Sequence, residues 1–472
     1  MPQPPIRGPY RMSPQNPLSG RMSLTQRSLR GGAWTFVGFG LGQTIRFGSN
    51  LLLTRLLVPD MFGLVAIAYI FIAGLYMFSD VGLRPVIIRS KRGDDPTFLN
   101  TVWVLQIIRG LLLWFIAIGI SVILFIAGRL GMMPKDTVYA DPRLPFVVAG
   151  VSISLIIVAF NSTKLYESYR RLELGRVTLV EFYSQIGNLL CIFTWILIDR
   201  SIWALVAGNI GGSLVTMLLS HVWLHGTSNR WQFQKTAFRE VFHFGKWIFV
   251  SSVLTFLVSN GDRLILGGLV TPTVLGVSMI AYMIVGAIEQ SVIKIITSVL
   301  FPVVSEIVRE RPHTLQANYY RMHVVVAGFC YFCSGVLMIS GQSLIELLYD
   351  RRYADAGWML EILAAAMLTY PLQIAIGSFT ALGMPKLQSH ILGIRLILLV
   401  IAMPTGFHLF GLPGALWGSV ASQFLCIPIT AFYSSRHGFF SVPQELFPLP
   451  MVLVGAGIGK IMAALIRNYH GV

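Results

Sequence analysis

Gly32 to Tyr69 reads GAWTFVGFGLGQTIRFGSNLLLTRLLVPDMFGLVAIAY, and 213 positions later Gly245 to Tyr282 reads GKWIFVSSVLTFLVSNGDRLILGGLVTPTVLGVSMIAY. Laid over each other without gaps, Gly32, Trp34, Phe36 and Val37 fall on Gly245, Trp247, Phe249 and Val250. Leu41, Leu51, Leu53 and Leu56 fall on Leu254, Leu264, Leu266 and Leu269, and Pro59, Gly63, Ala68 and Tyr69 on Pro272, Gly276, Ala281 and Tyr282. Leucine matches are cheap between apolar helices; the Gly-x-Trp-x-Phe-Val and Pro-x-x-x-Gly-x-x-x-x-Ala-Tyr matches are not. Each copy is an apolar run, a turn at proline and a second apolar run.

The rest of the chain is written in the same way. Hydrophobic residues fill 55% of 472 positions and charged residues 12%, against about 25% charged in a soluble domain, and the mean hydropathy is +0.70. Too little polar side chain remains to coat a globule, so the expected class is an all-α integral membrane protein. The net charge of +16 does not indicate nucleic acid, because Lys and Arg fall in short bursts between apolar runs rather than on one hydrated face. Cys191, Cys330, Cys333 and Cys426 all lie in apolar runs, which argues against a secreted disulfide framework. The Cys330–Cys333 pair reads as two small hydrophobes on a helix. No metal or cofactor is expected.

A spanning helix needs about 20 mostly apolar residues. Runs of that kind begin near Gly32, Phe62, Thr101, Pro145, Thr178, Ile202, Val241, Thr273, His323, Trp358, His390 and Leu412. Twelve helices are expected, with Pro450–Ile466 either a thirteenth or an interfacial segment. With the amino terminus inside, one face carries 22 Lys and Arg and the other 8, so the amino terminus is expected in the cytoplasm. Residues 1–30, rich in Pro and Arg, read as a disordered basic tail. Residues 31–224 form a first six-helix lobe, 225–240 a cytoplasmic linker, 241–434 a second lobe and 435–472 a tail. Six helices separate the copies, so the lobes enter the membrane alike, a parallel repeat about the membrane normal found in transporters.

The stretch from Arg27 through Gly31-Gly32-Ala33-Trp34, then Leu53-Thr54-Arg55-Leu56-Leu57-Val58-Pro59-Asp60-Met61-Phe62-Gly63, Ser79-Asp80-Val81-Gly82-Leu83 and Ile87-Ile88-Arg89 resembles the polysaccharide transporter, or oligosaccharide flippase, family. That family belongs to the multidrug/oligosaccharidyl-lipid/polysaccharide exporter superfamily. Asp262-Arg263-Leu264-Ile265-Leu266-Gly267 and Phe301-Pro302-Val303 also fit. The resemblance implies two lobes around a V-shaped central cavity that opens alternately to either face. It implies transport of undecaprenyl-diphosphate-linked sugar units across a bacterial cytoplasmic membrane for O-antigen, capsule or exopolysaccharide, beside polymerase and export machinery. Fourteen helices are common in the family, and this chain stops at twelve or thirteen.

A charge at the bilayer centre costs about 2.5–3.5 kcal/mol on insertion scales, so charges inside the runs are expected to face a wet cavity. The basic ones are Arg46, Arg109, Lys294 and Arg395, with Arg263 near an outer end; the acidic ones are Asp262 and Glu289. Five cations suit a lipid diphosphate, since guanidinium grips phosphate oxygens bidentately. No Gly-x-x-x-x-Gly-Lys-Ser/Thr is present, so an ion gradient is the expected drive, with Glu289 or Asp262 titrating. Asp80 and Arg84 are candidate gate residues, and Gln43, Asn50, Asn188 and Asn209 read as glue between helices. A cation-coupled multidrug exporter would show the opposite charge bias. A membrane glycan polymerase or ligase would be an enzyme, and the short loops argue against one.

Overall fold

The computed structural model describes residues 24–79, 83–90, 92–297, 304, 307, 314–438 and 440–470, with side chains except at 24–36, 84–85, 89, 239–251, 380–381, 385 and 469–470. Most of the expected tail therefore lies outside the described residues. Among the described residues there is no strand, as hydrocarbon demands of a chain that must satisfy its own backbone. The first half runs α1 (Leu24–Leu56), α2 (Pro59–Phe78), α3 (Leu83–Arg89), α4 (Pro96–Arg129), α5 (Leu144–Ala159), α6 (Lys164–Arg170), α7 (Leu174–Ile198) and α8 (Trp203–Val222). The second runs α9 (Lys235–Gly267), α10 (Pro272–Ile295), α11 (Leu315–Leu348), α12 (Ala356–Ala364), α13 (Leu372–Ala381), α14 (Pro385–Phe424) and α15 (Ile427–Arg436), then α16 (Val442–Leu446) and α17 (Pro450–His470). Proline starts α2, α4 and α10, where its missing N–H costs nothing. Asp95 caps α4 by accepting from Thr97 N at 2.9 Å.

Among the described residues eight helices are long and apolar enough to cross a membrane, ten when each bent pair is taken as one span. The bent pairs are α5 with α6, at 65°, and the segment of α12 with α13, at 43°. The count of twelve is not met on that test, for physical reasons. Helices α1 and α9 have the length, at about 1.5 Å per residue, but fall outside the apolar set. Residues Lys386–Arg436 qualify once, although α14 turns back on itself at Gly411, whose φ of 64° is open to glycine. A Cβ on Gly414 would overlap the Gly406 carbonyl, and one on Gly418 the Ala402 carbonyl. Ala402 and Gly418 would lie about 24 Å apart along a straight helix. Helix α17 passes the test as part of Val442–Asn468.

Helices approach through small residues, as in lipid they must. Gly38 and Gly42 of α1 meet Thr178 and Gln185 of α7, while Gly208 and Gly212 of α8 meet Ile192 and Asn188. The repeated proline–glycine motif makes one contact between halves. A Cβ on Gly63 would overlap the Pro272 carbonyl, and a Cβ on Gly276 the Pro59 carbonyl. That exchange is reciprocal, as at a two-fold axis. The expected linker is only partly irregular, since α9 begins at Lys235. Its preceding residues are bound to the first half: Arg230 N donates to Asn100 Oδ1 at 2.9 Å, Thr227 N to Glu167 Oε1 at 3.0 Å and Gln234 N to Thr101 Oγ1 at 3.1 Å.

Candidate functional site

Three helix faces meet around a cavity of about 320 Å³. Helix α1 contributes Gln43 and Arg46, α9 contributes Ser259 and Arg263, and α10 contributes Tyr282, Gly286, Glu289 and Gln290. The spacings of three, four and seven are those of single helix faces. A second cavity, of about 550 Å³, lies within the first half between α1, α2, α7 and α8. Arg46 lines both. Its guanidinium makes no hydrogen bond or ion pair among the described residues.

The neighbouring charges are also incompletely paired. Arg263 sets its guanidinium over the Tyr282 ring at 5.1 Å, and its Nε is buried without a partner. Asp262 does not pair with that guanidinium; its Oδ1 accepts the backbone N–H of Arg263 at 2.9 Å. Glu289 lies in the field of Arg395, Asp262 and Arg263, and Arg395 Nε on α14 is likewise buried and unpartnered. Each buried donor left unsatisfied costs about 1–3 kcal/mol. Three guanidiniums against two carboxylates leave the cluster positive, with donor capacity for an anion. Among the described residues no cluster of His, Cys, Asp or Glu could hold a metal ion, and Cys330 and Cys333 are free.

Arg46, Arg263, Glu289, Asp262 and Arg395 are thus brought together. Lys294 follows Ile293 on α10 but does not line either cavity. Arg109 stands apart from both, donating to Ser79 Oγ at 2.9 Å and the Tyr76 carbonyl at 2.7 Å, over the Tyr76 ring. Asp80 and the Arg84 side chain lie outside the described residues. Asn50 is glue as expected, accepting from Tyr349 at 3.0 Å. Asn188 and Asn209 are not: both line the larger cavity, and Gln43 lines the smaller.

Sequence reasoning missed a clasp where α1 and α9 end. The Arg352 guanidinium donates to the carbonyls of Thr54 at 2.9 Å and Arg55 at 3.3 Å while Asp350 holds it from behind. Tyr353 donates to the Leu57 carbonyl at 3.4 Å. Nearby, Tyr139 donates to the Leu264 carbonyl at 2.7 Å and Val138 N to the Val270 carbonyl at 3.1 Å. In the sequence Arg352 was one charge in a loop; the available signal was that the last carbonyls of α1 need donors.

The fold and the sequence both have known counterparts. The structure superposes on the lipid II flippase MurJ in an inward closed conformation with a TM-score of 0.66 at 11% identity, covering 94% of this chain and 98% of that one. It also superposes on an inward-facing multidrug resistance MATE family transporter of the MOP superfamily with a TM-score of 0.65 at 13% identity, covering 90% and 96%. The sequence is 21% identical over 368 residues to the lipopolysaccharide biosynthesis protein WzxC of Escherichia coli (strain K12), covering 76% of this chain and 70% of that protein. Residues 52–357 match the family described as polysaccharide biosynthesis protein. That match takes in α2 through α11 with the clasp, and with it most of the charged cavity, so the chain belongs to the polysaccharide biosynthesis protein family of multi-pass membrane proteins.

Proposed function

We propose that the chain is a flippase that carries undecaprenyl-diphosphate-linked oligosaccharide from the cytoplasmic to the outer leaflet of a bacterial inner membrane, its amino terminus cytoplasmic. The observation that carries the reading is Arg46, an unpaired guanidinium shared by two cavities and backed by the unpartnered Nε atoms of Arg263 and Arg395. A diphosphate supplies what the Arg46 guanidinium lacks, because guanidinium and phosphate pair through parallel hydrogen bonds, and the charges of Arg263 and Arg395 add to the attraction. The names of the relatives, a lipopolysaccharide biosynthesis protein and a lipid II flippase, support a lipid-linked saccharide as cargo. A multidrug exporter of cations, the reading suggested by the other structural neighbour, is disfavoured by the positive cluster. Residues 31–224 and 241–434 serve as the two lobes, and the clasp between Arg352 and α1 closes the outer side. Glu289 and Asp262, set among three arginines, are the groups to exchange a coupling proton or cation as the diphosphate enters and leaves. Glycan polymerase and export machinery stand downstream as partners.

Arg46→Ala is expected to leave the protein inserted and folded but to stop polymer export, with lipid-linked units accumulating inside. Arg46→Lys should rescue partly, because a point charge replaces a bidentate fork. Both are read by complementing a strain that lacks its own copy and measuring surface polymer and the lipid-linked pool. Normal export by stable Arg46→Ala protein would remove the cavity assignment.

A further inference from the structure

Helix α17 leaves one face uncovered. Its other face presses on α11: Met451 lies against Gly328, and a Cβ on Gly459 would overlap the Val336 carbonyl and crowd Ile339. These contacts advance together along both helices, so α17 runs parallel to a spanning helix and shares its depth. On the uncovered side Leu453, Gly457, Lys460 and Ala464, spaced by four, three and four, form one exposed stripe. A Cβ on Gly457 would meet nothing within 4 Å.

Lipid alone does not account for Lys460. It makes no hydrogen bond or ion pair among the described residues. It stands about 15 Å along α17 from Pro450. Its neighbour Gly459 is level with Ile339, about 14 Å short of the end of α11 at Leu348. In a hydrocarbon core about 30 Å thick, Lys460 is near the middle, too deep for a four-carbon stem to carry its ammonium to either surface. A charge among lipid tails is costly, and charges at that depth pair. The small residues Gly457 and Ala464, one turn below and one above, let a second backbone come close.

We propose that this face docks a spanning helix of another membrane protein, one that carries an Asp or Glu near the bilayer centre and sets that carboxylate on Lys460. A second copy of this chain does not fit. A two-fold contact through the same face would set Lys460 against Lys460. Among the described residues, the exposed carboxylates within spans are Glu181 and Glu346, both nearer the ends of their helices. Each already has a donor, Tyr169 at 3.4 Å and Gln342 at 2.7 Å.

The test is energy transfer in liposomes between the full chain, labelled at its carboxyl end, and labelled leucine–alanine spanning peptides whose central residue is Glu, Leu or Lys. The Glu peptide should bind the parent about threefold or more tightly than the Leu peptide, the scale of polar contacts between helices in lipid. Lys460→Leu, a change on the uncovered face, should leave the fold intact and erase that difference. Lys460→Glu should move the preference to the Lys peptide, and Gly457→Leu should weaken binding of every peptide. Equal binding of the Glu and Leu peptides by the parent would overturn the proposal, as would a Glu preference that survives in Lys460→Leu. Energy transfer between two labelled copies of the chain, with none to any peptide, would give the face to a self-contact and overturn it equally.

Discussion

Arg352 takes the place of a helix cap. The last carbonyls of α1 have no intrahelical donor, and the guanidinium supplies one to Thr54 and Arg55 while Asp350 fixes its plane. In the proposed orientation this joins the halves on the outer side. Arg352→Ala should open that side. A cysteine placed at Thr54, which is 2% exposed, should react slowly with an impermeant maleimide in the parent and at least several-fold faster in the variant. An unchanged rate would show that the clasp closes nothing. The Arg352 hydrogen bonds hold the Asp350 carboxyl below the usual carboxylate range. A carboxyl shifted down contributes at neutral pH and loses its contribution only as pH falls through the lowered value, so the variant-to-parent ratio of labelling rates should be the same at mildly acid as at neutral pH. At this scale the sequence was informative where polarity is expensive. Arg46, Arg263, Glu289 and Arg395 stand out in apolar runs by that cost, but so do Arg109 and Lys294, which line neither cavity. Asn188 and Asn209 do not stand out, because an amide costs about as little in a seam as on a cavity wall, and its neighbours decide which it is.

Helix α17 shows what a single element needs beyond apolarity. A Cβ on Gly455 would overlap the Phe332 carbonyl, and Gly335 meets Val452 in the same way, so α17 and α11 touch backbone to backbone. Ahead of it, Glu445 on α16 bonds His323 Nε2 at 2.9 Å and accepts from Tyr320 at 3.1 Å, fixing the lead-in to the membrane. Gly455→Leu should cost at least about 1–3 kcal/mol by overpacking, lower the melting temperature in detergent and make the segment before Pro450 open to protease. An unaltered melt would mean that the seam carries no stability. The run Pro450–Ile466 was visible as a run, yet composition alone left it between spanning and interfacial. The glycine seam settles where it packs. The bends between α5 and α6 and between α12 and α13 were invisible for a related reason: hydropathy registers an apolar run but not a change of direction within it.

For the whole molecule, the orientation rests on the 22 to 8 imbalance of Lys and Arg between the two faces. Reporter fusions after Arg92 and Arg171 should therefore read cytoplasmic, and fusions near Asp136 and Arg352 external; an external signal after Arg171 would overturn both the orientation and the parallel repeat. The repeat was legible because its Pro-x-x-x-Gly units are backbone-level features. Pro59, Gly63, Pro272 and Gly276 are the residues through which α2 and α10 touch. The anchoring of 224–234 was not legible, since Asn100, Thr101 and Glu167, which bind it, lie far away in sequence and carry no mark of their partners.

The reciprocal contact of Pro59 with Gly276 and Gly63 with Pro272 is the kind made by two identical subunits. In such a pair every residue is present twice, and a change in one gene alters both walls of whatever lies on the axis. Arg46 and Ser259, which occupy the same place in the two copies, both line the 320 Å³ cavity. A symmetric dimer would have to put two guanidiniums or two hydroxyls there. Joined in one chain, the halves are free to differ, and at this pair of positions the cavity has a guanidinium from one copy and a hydroxyl from the other. For the proposed flippase the consequence is that an occupant's head and tail are not exchangeable, so the direction in which cargo is presented is encoded in the inequality of two positions that duplication would have made equal.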